Sequence, residues 1–157
     1  MGRAPPSEQK IKTLQSLFAD HHDWKLRVFY ASPISSDKLL EIVSIPALNE
    51  SIQRVIELRK EGHFLPALVM AWATFEATGR VLLPDRFQRP QTPARLVEVL
   101  GSEGYITPEE ADTLRAASAI RNAVVHGQLD SVVDQKMLDG FVAILKTLAK
   151  LVSAENS

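Results

Sequence analysis

The sequence predicts a mainly α protein: an antiparallel helical bundle of four to five main helices, with a small N-terminal helix–strand element leaning on it. Three observations carry this. The segment 64–83 is apolar on nearly every side, and such a helix is normally surrounded by other helices. In the last quarter, Val133, Met137, Phe141, Ile144, Leu148 and Val152 recur at helical spacing and make one stripe. The best strand, 24–31, finds no second convincing strand in the chain to pair with.

The elements follow in order. Residues 1–7 read as a flexible lead-in. Residues 8–19 place Ile11, Leu14, Leu17 and Phe18 at helical spacing, and His21-His22-Asp23 breaks the pattern. In 24–31, Trp24, Leu26, Val28 and Tyr30 alternate with Lys25, Arg27 and Phe29, and Pro33 ends the run. A lone strand leaves backbone groups unpaired. Its partner is expected to be a short segment at 42–45 or another subunit. A short helix at 36–43 is expected to stop at Pro46, and a longer one to run over 48–60 with Asn49 near its start and Gly62 as its stop.

Pro66 suits the first turn of the helix over 64–83, and Pro84 stops it. Its two charges, Glu76 and Arg80, stand four apart with the acid first, the order that favours an ion pair on one face. A proline-rich connection over 84–93 leads to a short helix at 94–100 and a turn at Gly101-Ser102-Glu103-Gly104. Thr107-Pro108-Glu109-Glu110 is a strong helix start: a capping threonine, proline in the first turn and glutamate three residues after the cap. That helix carries Ala111, Leu114, Ala117 and Val124 inward and ends near Gly127; Ser131 is placed to cap the last helix. The domain organisation expected is an N-terminal extension over 1–47 and a helical bundle over 48–157.

Composition narrows the function. The 157 residues suffice for one core, and 45% hydrophobic with 24% charged residues is ordinary for a globular chain. No cysteine is present, which removes disulfides and zinc–thiolate sites. A formal net charge of −1 argues against a bulk electrostatic nucleic-acid binder while leaving room for a local basic site. The opening MGRAPPSEQK lacks the apolar core of a signal peptide, and the longest apolar stretch, over 64–75, is too short to span a bilayer. A soluble, cytoplasmic protein without a membrane partner is expected.

The chemistry concentrates in Arg121-Asn122-Ala123-Val124-Val125-His126-Gly127. Histidine is the side chain whose charge changes nearest neutral pH, and arginine carries a permanent charge on a fork that fits phosphate. On a helix, Asn122 and His126 share a face, so the amide is expected to orient the imidazole. Arg121 lies about 140° from His126, so the two converge on one phosphate only through distortion at the helix end or through a second copy across a two-fold axis. The carbonyl end of a helix favours a protonated imidazole, which is then able to act as an acid.

These residues resemble the HEPN superfamily, whose signature is an arginine, usually followed by a polar residue, and then a histidine with four to six residues between. Arg121-Asn122 and His126, with four residues between the arginine and the histidine, fit it near the end of the penultimate helix. The apolar helix with Ala71-Trp72-Ala73-Thr74-Phe75-Glu76 and a downstream arginine is similar to bacterial members. The resemblance covers roughly 48–152. It implies a homodimer that brings two Arg–His motifs into one cleft, and a metal-independent ribonuclease needing no cofactor, acting in defence or stress response. His126 would move a proton at the ribose 2′-hydroxyl or the leaving 5′-oxygen, Arg121 would stabilise phosphate charge, and Asn122 would position one or both. Gln128 stands where the toxin–antitoxin branch has tyrosine, a departure from that branch. The alternative is a non-catalytic HEPN-like dimerisation module that binds nucleic acid or protein; a third reading is a purely structural dimerisation domain.

Other residues carry two readings each. Glu76 and Arg80 are a structural ion pair or support for Arg121. Arg86, Arg89 and Arg95 are contacts for RNA phosphates or a solvated loop. His21 and His22 lack a third spaced ligand, so no metal site is expected. Trp24 and Trp72 read as core or interface anchors before base-stacking platforms.

Overall fold

The computed structural model describes residues 39–155. They form five helices: α1 (Ile45–Lys60), α2 (Phe64–Leu82), α3 (Pro93–Ser102), α4 (Pro108–Val125) and α5 (Gln135–Glu155). Among the described residues there is no strand, and the chain is a mainly α bundle there. The sequence-predicted helix at 8–19, the strand at 24–31 and the histidine pair at 21–22 lie outside the described residues. None of the helices described is long and apolar enough to cross a membrane.

Two local expectations are corrected at the start of the bundle. Residues 39–44 carry neither helix nor strand, so the described part of 36–43 is not helical and 42–45 is not a pairing strand. Pro46 opens a helix instead of stopping one. The Ser44 side chain accepts from Ala47 N–H at 3.4 Å, and Pro46 sits in the first turn, where a missing N–H costs nothing because no carbonyl lies upstream to receive it. Asn49 is therefore in the second turn, and the residues from Leu39 onward belong with the bundle. Leu40 N–H donates to Gln88 O at 2.9 Å, which ties this leader to the α2–α3 connection.

Helix α2 is the centre. It packs against α1, α3, α4 and α5, and α5 also packs against α1 and α4. Trp72, Phe75 and Phe141 meet as an aromatic trio with ring centroids 5.4–5.9 Å apart, two of the three pairs edge-on, the geometry their quadrupoles favour. Trp72 is thus a core anchor. Ser51 and Thr74 join α1 to α2 through hydroxyls 2.6 Å apart; Thr74 already donates to Met70 O, so Ser51 is the donor. The helix is less enclosed than its sequence predicts. Val69 is exposed, Met70 is only partly covered, and Ala73 faces out, which leaves one open strip.

The proline-rich connection is anchored by a residue that sequence reasoning passed over. Phe87 is 1% exposed and its ring, with Leu96, lies over Gly79 of α2. A Cβ at Gly79 would sit 3.1 Å from Leu96 Cδ1 and 3.5 Å from the Phe87 ring, so glycine is what permits this close approach. Helix α3 begins at Pro93 behind a Thr92 cap and runs through Gly101 to Ser102, slightly longer than predicted.

The capping box of α4 is present in full. Thr107 Oγ1 accepts from Glu110 N–H at 3.2 Å, and Glu110 Oε2 accepts from Thr107 N–H at 2.8 Å. Ala111, Leu114 and Ala117 are buried, while Val124 is only partly so. The cap of α5 is Asp134 and not Ser131. Asp134 accepts from Lys136 and Met137 N–H at 3.2 and 3.3 Å, whereas Ser131 donates to Gln128 O inside the loop. A carboxylate there also meets the positive end of the helix. The apolar stripe of α5 is buried as its spacing predicts, with Met137 partly covered.

Candidate functional site

The last turn of α4 sets the candidate site. Gly127 takes φ +95°, a conformation that a side chain rarely adopts. This lets Gln128 N–H reach back to Ala123 O at 3.0 Å and Gly127 N–H to Val124 O at 2.9 Å, the paired bonds that close a helix at a left-handed residue. His126 is the C-cap, its own N–H held by Asn122 O at 3.1 Å. The glycine therefore decides where the histidine stands: at the tip of the helix, exposed.

Arg121 lies one turn earlier and is partly buried. Its Nη1 donates to Asn122 Oδ1 at 3.0 Å. This corrects the expected role of the asparagine. The amide oxygen is engaged by the arginine next to it, and among the described residues no hydrogen bond joins Asn122's side chain to His126. Nor does a hydrogen bond join Arg121 to His126. The Asn122 amide oxygen is taken by the guanidinium one residue before it, while His126 stands at the C-cap (φ −96°, ψ 12°) with its backbone N–H still on Asn122 O. On the same turn and the loop after it, Val125, Leu129 and Val132 are 52%, 76% and 85% exposed, interspersed with the exposed Gln128 and Asp130.

Glu76 and Arg80 do not form the expected ion pair. Trp72 Nε1 donates to Glu76 Oε1 at 2.7 Å, so the carboxylate caps the core tryptophan. Arg80 Nε is buried without a hydrogen-bond partner. With Phe87, Arg89, Gln91 and Leu96 these two line a cavity of about 10 Å³, the size of one water and far short of a nucleotide. No hydrogen bond or ion pair among the described residues connects this cluster to Arg121 or His126. Of the arginines in or beside the connection, Arg86 pairs with Glu103 at 3.6 Å and Arg95, in the first turn of α3, with Glu98 at 3.3 Å, both in the open. Surface pairs of this kind are worth little, so both cations remain available to a competing phosphate. Among the described residues no three His, Asp or Glu side chains gather as a metal site would require.

Sequence reasoning missed a long groove between α1 and α5. Two adjoining depressions of about 450 and 510 Å³ share Gln53 and Lys146. At one end Arg59 Nε binds the Asp139 carboxylate, a hydrogen bond that raises the basicity of the guanidinium further. At the other end stand Asn49, Lys150 and Ser153. The available signal was the α5 sequence, which carries two lysines four residues apart and no carboxylate between Asp139 and Glu155. Comparison with known proteins finds no matching family model, no matching curated protein and no matching solved structure.

Proposed function

We propose that this protein is a metal-independent endoribonuclease of HEPN type, working as a homodimer in defence or stress response. The observation that carries the reading is the α4 terminus: an exposed imidazole at a glycine-closed helix end, one turn from a partly buried arginine whose fork is only partly used. In this reading an imidazole takes the proton of the ribose 2′-hydroxyl as its oxygen attacks phosphorus. The bond to the 5′-oxygen breaks, and that oxygen takes a proton from an imidazolium, the one just formed or that of the second copy. The product ends are a 2′,3′-cyclic phosphate and a 5′-hydroxyl. Arg121 stabilises the charge that builds on the phosphate oxygens, and Asn122 holds Arg121 through its amide oxygen. Because no hydrogen bond among the described residues joins Arg121 to His126, a second copy supplies the convergence in this reading, and the exposed Val125, Leu129 and Val132 give it apolar surface to cover.

The test is cleavage of a mixed RNA pool in EDTA by wild type, Arg121→Ala and His126→Ala, each checked for folding and dimerisation. Cleavage to cyclic-phosphate ends that both substitutions abolish supports the reading. Cleavage that survives both places the active site elsewhere. One observation favours a second reading, a non-catalytic HEPN-like module that binds nucleic acid or protein: the Arg121 fork is turned to Asn122 and not toward the histidine. A folded wild-type dimer that binds RNA and leaves it intact would select that reading.

A further inference from the structure

The α1–α5 groove carries a charge pattern at odds with the whole chain. The protein has a formal net charge of −1, yet Arg59, Lys60, Lys146 and Lys150 line this groove against one carboxylate, Asp139, which Arg59 already neutralises. Among the described residues Lys60, Lys146 and Lys150 form no ion pair. The α1 carboxylates Glu50 and Glu57 line neither depression, and Glu50 is paired with Arg54. Three cations on a low, partly apolar floor of Ile52, Ile56 and Val142 face solvent together.

The dimensions fit an extended chain. At 1.5 Å per residue the α1 wall from Asn49 to Lys60 is about 16 Å long, and Lys146 and Lys150 are about 6 Å apart along α5. Packed helices have axes about 8–10 Å apart, so the furrow between them is narrow. Asn49 and Gln53 add amide donors along the α1 wall. No aromatic side chain lines either depression, so the groove offers charge and donors without a stacking platform.

We infer that the α1–α5 groove binds the phosphate backbone of a single-stranded RNA, through Lys60, Lys146 and Lys150, independently of base sequence. The choice of RNA as the polyanion rests on the ribonuclease reading; the polyanion itself rests on the groove. The groove is a surface separate from the α4 terminus: α1 and α4 make no contact with each other, and both pack on α5. A strand held here would be retained by a site that does no chemistry.

The experiment measures binding of a fluorescent single-stranded RNA oligonucleotide to full-length His126→Ala protein across a salt series. The same is done after adding Lys146→Gln with Lys150→Gln. The lysines are exposed, and circular dichroism with a thermal melt checks that the fold is unchanged. Each lost phosphate contact lowers the salt slope of a single strand by about 0.7, so the double variant loses about 1.4. At about 0.15 M salt that is roughly a ten-fold weaker Kd, equal for sequences of different composition. Lys136→Glu changes charge on the same helix outside the groove and leaves the slope within error; single Lys146→Glu and Lys150→Glu do not. An unchanged slope in the double variant overturns the inference, as does an equal effect from Lys136→Glu. So does an acidic peptide that outcompetes RNA and loses its own binding in the double variant, because the groove is then a protein site. Cleavage by wild type is scored separately. Groove-dependent binding without cleavage upholds this inference and removes the ribonuclease reading, whereas cleavage with groove-independent binding does the reverse.

Discussion

Phe87→Ala tests whether one side chain secures the connection between the central helix and α3. The ring is 1% exposed and lies with Leu96 over Gly79, so truncation removes contacts with two helices at once. Phenylalanine-to-alanine changes in cores cost about 3–5 kcal/mol, from lost transfer energy plus the cavity left behind. Phe87 is on a connection, not inside a helix, so part of the space is expected to close, which puts the loss at about 3 kcal/mol, the lower end of that range. With a urea dependence of about 1–3 kcal/mol per molar, the unfolding midpoint falls by about 1–3 M. The assay is urea unfolding followed by circular dichroism and by tryptophan fluorescence, with coincident transitions required before a free energy is taken. Phe87→Leu, which keeps most of the volume, is expected to lose less than about 1.5 kcal/mol. A loss below about 1 kcal/mol for Phe87→Ala refutes the argument, for it would mean that the connection is held by its prolines and backbone bonds and that the ring is a passenger.

Two further substitutions bear on α4. Thr107→Ala removes one half of the capping box and is expected to cost about 1 kcal/mol by thermal or urea unfolding, while Thr107→Ser keeps the bond and stays near wild type. Gly127→Ala meets no atom within 4 Å, so any loss is backbone strain at φ +95°, about 1–2 kcal/mol. Gly127→Asn should lose less, because asparagine tolerates that region better. If His126 acts where the glycine places it, Gly127→Ala also lowers RNA cleavage by more than the lost stability accounts for at a temperature where the variant is folded. Cleavage that simply tracks the folded fraction would show that the helix end does not aim the imidazole.

The helices were legible where local physics is decisive. Thr107-Pro108-Glu109-Glu110 carries its own reciprocal hydrogen bonds, so the start of α4 needs no tertiary partner to be read. The stripe from Met137 to Val152 on α5 is likewise a pattern along one stretch of sequence, and the core took it as spaced, with Val133 buried from the loop just before the helix. Pro46 marks a boundary without saying which side the helix is on, and Ser44, two residues before it, is the cue that decides for a helix start. Ser131 lost to Asp134 for a similar reason, both being good caps within four residues of each other.

At the site the division is sharper. The sequence alone determined that Arg121, Asn122 and His126 share the end of a helix closed by Gly127, since spacing and a left-handed glycine are local matters. It also determined that Glu76 and Arg80 lie on one helix a turn apart. Which partner each side chain takes was decided only by the tertiary structure. Glu76 turns to the Trp72 indole, Asn122 to Arg121, and Arg80 buries its Nε beside Phe87, because a side chain choosing among several acceptors is settled by what the neighbouring elements leave open. The basic groove is the extreme case. Lys60 and Lys146 come from helices separated by most of the bundle in sequence, and only the packing of α1 on α5 puts their charges along one furrow.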